Sequence, residues 1–137
     1  MSITLALLAV AGCQSHQSTK NSVDGSSGHH GLAADSPLSA YADYMNGVEK
    51  RVVTQWYKLN DETRVAPPKG SHVTITFTLT SKGITEITQV EDFGCGKQGV
   101  WICESAIQDI QPFPKWTSEM VAALGEKQTL VFGFYYQ

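Results

Sequence analysis

His72-Val73-Thr74-Ile75-Thr76-Phe77-Thr78-Leu79-Thr80 decides how this chain folds. Val73, Ile75, Phe77 and Leu79 alternate with Thr74, Thr76, Thr78 and Thr80 without a break. Successive side chains of a strand point to opposite faces, so this period of two predicts a half-buried strand with an apolar face and a threonine face. Ser81-Lys82-Gly83 then predicts a tight turn. A second strand is expected over residues 84–91, with Ile84, Ile87 and Val90 apolar. Their spacing of three breaks the alternation, and a β-bulge would restore it.

Upstream of the hairpin the period changes. Asp35-Ser36-Pro37 reads as a helix start, with Ser36 as cap and Pro37 in the first turn, where no donor is lost. Tyr41, Met45, Val48, Val52, Trp56 and Leu59 follow at helical spacing, which predicts one buried stripe. Asn60-Asp61 is expected to end that helix, and Pro67-Pro68 marks a loop.

Downstream, Phe93-Gly94-Cys95-Gly96-Lys97-Gln98-Gly99 reads as a glycine-rich loop. It is no phosphate cradle, because Gln98 stands where a P-loop needs Ser or Thr after its lysine. Val100, Cys103, Ala106, Ile107 and Ile110 mark a second helix stopped by Pro112. Phe113 and Trp116 are expected to tuck under the sheet, and residues 117–125 to form a short helical turn with a Ser cap and a Gly stop. In the last strand, residues 128–137, Leu130, Phe132, Phe134 and Tyr136 line one face, and Val131, Gly133 and Tyr135 line the other. The expected class is α+β, in the order helix, strand, strand, helix, strand, with an antiparallel sheet packed against helices.

The charges exclude some partners. Ten Lys and Arg face thirteen Asp and Glu, for a net charge of −3, and the cations are scattered. Nucleic acid needs a basic face to neutralise its backbone, and anionic lipid headgroups need a polybasic segment. Neither is present, so nucleic acid is not an expected partner.

The beginning of the chain carries a different signal. An apolar run from Ile3 ends in Leu8-Ala9-Val10-Ala11-Gly12-Cys13. This resembles the lipobox of bacterial lipoproteins, in which small residues precede a lipidated cysteine. The run is far shorter than the roughly 20 residues that span a bilayer, so it reads as a signal segment. The resemblance implies a signal peptide over 1–12, acylation (palmitate) of Cys13, and a membrane-anchored protein facing the periplasm. By analogy with enterobacterial lipoproteins, Gln14 after the cysteine favours the outer membrane over the inner. Residues 13–35 hold many Ser, Gly and His and almost no large apolar side chain, so a flexible tether is expected before a domain over 36–137. Cys95 and Cys103 then remain as a pair in an oxidising compartment, which predicts a disulfide between them.

The domain itself resembles the C-terminal domain shared by TonB and TolA proteins. The resemblance is carried by Val52-Val53-Thr54-Gln55-Trp56-Tyr57, by the hairpin from Val73 to Ile84, by Ala106-Ile107 and Pro112-Phe113-Pro114, and by Leu130-Val131-Phe132-Gly133-Phe134. It implies a protein-binding module whose last strand borders the sheet and grips a partner's extended segment by strand addition. The residues so implicated are Val131, Gly133 and Tyr135, with Tyr136 nearby, in a strand with no charge between Leu130 and Gln137. The partner would be an envelope protein such as a receptor; the alternative is a structural or assembly lipoprotein of the envelope with Tol–Pal-like partners, using the same domain without strand addition. TonB and TolA carry a motor-coupling transmembrane helix and a long spacer, in place of which this chain has the lipobox and a short tether. Energy transduction is therefore not implied.

Catalysis finds no foothold in the pattern. His16, His29 and His30 fall in the tether, and His72 stands alone at a strand start. Glu86, Glu91 and Asp92 read as solvated charges and not as an acid–base pair. No metal and no cofactor is expected, and two thiolates lack the further ligands zinc requires.

Overall fold

The computed structural model describes residues Ile3–Leu8 and 37–137. In chain order the elements are β1 (Ile3–Leu8), α1 (Pro37–Thr63), β2 (His72–Thr80), β3 (Thr85–Phe93), α2 (Gly96–Gln108), α3 (Ser118–Leu124) and β4 (Lys127–Tyr136). The class is α+β, and residues 37–137 follow the expected order, with α3 as a short addition. The strands form one antiparallel sheet in the order β1-β4-β2-β3.

The alternation of β2 sets the layers. Val73, Ile75, Phe77 and Leu79 are fully buried, and the intervening threonines are half-buried on the other face. Across the β2–β4 ladder, Phe134 pairs with Val73, Phe132 with Ile75 and Leu130 with Phe77, all buried. Met45, Val48, Val52, Trp56 and Leu59 of α1 and Ile102, Cys103, Ala106 and Ile107 of α2 cover that face. One core thus lies between a helical layer and the sheet. The opposite face carries His72, Thr74, Thr76 and Thr78 on its central strand.

The bulge expected in the second strand is present. Thr76 pairs with Gln89 but Phe77 pairs with Ile87, so Thr88 is the extra residue, and its hydroxyl donates to the Thr76 carbonyl at 3.2 Å. The insertion lets Ile87 and Val90 both pack on the core despite their odd spacing. Ile84 lies in the turn before the strand and is 49% exposed.

Local chemistry moves three boundaries. α1 runs past Asn60-Asp61 to Thr63. There the Asn60 amide and the Thr63 hydroxyl each donate back to a main-chain carbonyl one turn earlier, and Arg64, at φ 53°, ends the helix. α2 begins inside the glycine-rich segment, which is its first turn and not a loop. The Asp92 carboxylate accepts the main-chain N–H of Cys95 at 2.7 Å and of Gly96 at 3.0 Å, satisfying donors that a helix start leaves free. α3 is capped by Thr117 and not by Ser118: the Thr117 hydroxyl accepts the Met120 N–H at 3.2 Å, and Gly125 at φ 81° stops the helix.

Phe113 and Trp116 are buried, as expected. They are held to the hairpin turn by main-chain bonds, Phe113 N–H to the Gly83 carbonyl at 2.8 Å and Trp116 N–H to the Ser81 carbonyl at 2.9 Å. Gly83 sits at φ 82°, and a Cβ there would overlap the Phe113 main chain, so both backbone conformation and space require glycine.

Candidate functional site: the outer edge of the last strand

Residues in a strand send their main-chain groups alternately to the two sides. Tyr136 fixes the phase in β4. Its N–H donates to Ser71 O at 3.0 Å, and its carbonyl accepts from Gly70 N–H at 2.7 Å, so both groups point towards β2. Phe134, Phe132 and Leu130 share that phase. Val131, Gly133 and Tyr135 therefore direct their N–H and C=O away from β2, to the far side of β4.

That far side is where sequence and structure part. The last strand is not the border of the sheet, because β1 lies beyond it. Ile3–Leu8 pairs antiparallel with β4, Thr4 opposite Tyr135, Ala6 opposite Gly133 and Leu8 opposite Val131. The apolar run expected to act only as a signal segment is here a strand. A run of six extended residues is long enough to complete a ladder with β4, and nothing in its composition opposes β structure.

The outward face of β4 is shaped by aromatic rings. The His72 imidazole stacks between Phe93, at 4.3 Å between centroids, and Tyr135, at 4.9 Å, with planes 13° and 18° apart. These three rings form a ladder across β3, β2 and β4. The Tyr135 ring also lies along the strand over Gly133: a Cβ at Gly133 would sit 2.7 Å from the ring carbon Cε2. Val131 and Tyr135 are half-buried, and Gly133 is covered. The ladder escaped the sequence reading because Phe93 lies beyond the expected end of the second strand. Only the bulged register brings it opposite His72.

Tyr136 does not belong to this edge. Its ring is in the core, edge-on to Trp56 at 5.3 Å. Its hydroxyl accepts the Trp56 indole N–H at 3.0 Å, donates to Asn60 Oδ1 at 3.2 Å, and lies 4.0 Å from the Cys103 sulfur. Burial pushes the hydroxyl well above the usual tyrosine range, with the neighbouring Cys103 adding to the shift. Tyr136 is thus a structural hub, and its assignment to partner contact is corrected.

The disulfide is corrected as well. Cys95 and Cys103 are separate, buried thiols. Cys95 caps α2 and Cys103 lies in its middle. Eight residues at 1.5 Å rise put them about 12 Å apart along one helix, and a disulfide needs Cα atoms closer than about 7 Å. Burial raises both thiol pKa values, that of Cys103 strongly. Cys13, expected to be lipidated, and the segment expected to be a tether lie outside the described residues.

Other expected charges have plain partners. Glu91 accepts the Gln89 amide at 2.8 Å, and Asp92 holds α2. Among the described residues no group of three or more His, Cys, Asp or Glu side chains gathers to hold a metal ion. Also among them, no helix is long and apolar enough to cross a membrane. Other surface features among the described residues include a groove of about 340 Å³ lined by Lys50, Arg51 and Ile110, and an exposed Trp101 on α2.

No protein-family model matches the chain, and no curated protein or solved structure matches it. The site therefore rests on its own geometry.

Proposed function

We propose that this protein is a lipid-anchored, periplasm-facing binding module of the cell envelope, similar in kind to the TonB/TolA C-terminal domain, that grips an extended segment of an envelope protein along the outer edge of β4. One observation supports it above the others: that edge accepts an antiparallel strand over six register pairs, from Tyr136 to Val131. Main-chain bonding of this kind supplies affinity without a preformed pocket, and side-chain fit supplies choice. A mature chain beginning at Cys13 lacks Ile3–Leu8, and β4 then borders the sheet. No charge between Leu130 and Gln137 blunts it, although exposed edges are usually guarded.

Crosslinking in cells tests the reading. A photoreactive residue at Thr129 of the exported protein is expected to capture an envelope protein, with the adduct mapping to one extended segment of the partner. Val131→Pro deletes an N–H on the far side of β4 and leaves the β2 ladder whole, as proline is tolerated at such edge positions. It is expected to abolish the adduct while the unfolding midpoint stays near the parental value. An adduct that survives in Val131→Pro, or that forms equally from a photoreactive residue at the exposed Lys58 of α1, would sink edge binding.

A further inference from the structure

We infer that the leader is an internal occupant of the binding edge: in the uncleaved chain Ile3–Leu8 fills the outer side of β4, and processing before Cys13 opens it. The inference rests on the binding reading above and adds how the site is regulated. Its basis is a coincidence of positions. Three residues of β4 whose main-chain groups face outward, Val131, Gly133 and Tyr135, are opposite Leu8, Ala6 and Thr4. The segment read as a signal thus pairs with the same groups a partner strand would use, and the two cannot bind together.

Tethering explains how so short a strand holds. Joined in the same chain, Ile3–Leu8 meets β4 at an effective concentration on the order of millimolar, which a weak six-residue ladder can exploit. Cleavage hydrolyses the Gly12–Cys13 amide: one water supplies hydroxyl to the Gly12 carbonyl carbon and a proton to the Cys13 nitrogen. The strand then becomes a free peptide and is lost by dilution. Until the cut, the edge is closed to foreign strands and to a second copy of the chain, which suppresses the edge-to-edge association that open strands invite.

Amide hydrogen exchange on the full chain, produced without export so that the leader is retained, tests this directly. Exchange at Val131, Gly133 and Tyr135 is expected to be at least ~10-fold slower in the parent than in Ala6→Pro, since local opening of a paired amide governs its exchange. Ala6→Pro removes an N–H that faces Gly133 and changes nothing in residues 37–137. The amides of Phe132 and Phe134, bonded towards β2, should not change and so report that the domain stays folded. A lysine-flanked synthetic peptide carrying the Ile3–Leu8 sequence, added to Ala6→Pro, is expected to restore slow exchange at the three outward amides. Fast exchange at those amides in the parent overturns the inference, as does slow exchange that persists in Ala6→Pro. In either case the crosslink from Thr129 of the processed protein still decides the binding reading separately.

Discussion

Tyr136 shows how one side chain can look like a site and be a strut. It stands beside the outward-facing Tyr135, but its hydroxyl closes a buried network that joins α1, α2 and β4 through Trp56, Asn60 and Cys103. Trp56 has no solvent exposure, and its indole N–H uses Tyr136 as acceptor. Tyr136→Phe keeps the ring and strands that donor. A buried donor without an acceptor costs about 1–3 kcal/mol. The variant is therefore expected to lose stability by that amount in urea titration. The Thr129 photo-adduct should persist wherever the protein is folded. Unchanged stability would show that the network carries no weight. A lost adduct in folded protein would return Tyr136 to the binding surface.

At the scale of elements, the same contrast explains what the sequence made legible. Strong periodicity was reliable: the Val73-to-Leu79 alternation and the Met45-to-Leu59 stripe both lie in the core as read. Even the bulge at Thr88 was legible, because Ile87 and Val90 cannot share a face without it. What escaped was a side-chain cap and a long-range pairing. Gly96 to Gly99 looks like a loop by composition, yet it forms the first turn of α2 because Asp92, three residues before Cys95, supplies acceptors there. The expected disulfide failed for the same reason, since a helix over these residues holds the two cysteines apart. Val131, Gly133 and Tyr135 lie on the face of β4 opposite the core, as the alternation predicts, but the strand covering the outer edge comes from the far end of the chain, a pairing no local pattern announces. Asp92→Ala tests the cap. Loss of a side-chain acceptor at a helix start costs typically about 1 kcal/mol, and the negative charge near the helix N-terminus adds a few tenths. The urea midpoint is expected to fall accordingly, with Asp92→Asn recovering part of the loss. Equal behaviour of Ala and parent would mean that the α2 start is held by packing alone.

The whole molecule carries a pH signature set by its core. Burial raises the Cys103 thiol above its ordinary value of 9.0 and the Tyr136 hydroxyl above 10.0. In the fold both groups keep their protons at pH values where the unfolded chain has lost them. The unfolded state then binds fewer protons than the native state, so the unfolding free energy must fall as pH rises. The sign is opposite to that of a paired carboxylate. Stability from these groups is fully present below about pH 9, declines as the unfolded thiol ionises, and declines further once the unfolded phenol follows near pH 10. Equilibrium urea unfolding between pH 7 and 11 should therefore give a plateau followed by a downward slope. Cys103→Ala lowers the plateau, because a buried side chain is truncated, but it removes the more strongly shifted of the two thiols. Its decline is expected to be shallower between pH 9 and 10, with Cys95 carrying what remains of it there. Tyr136→Phe should instead keep the onset near 9 and flatten the curve above 10. A decline of the same shape in both variants would place the alkaline transition in surface charge repulsion and not in the Cys103–Tyr136 pair that ties α2 to the last strand.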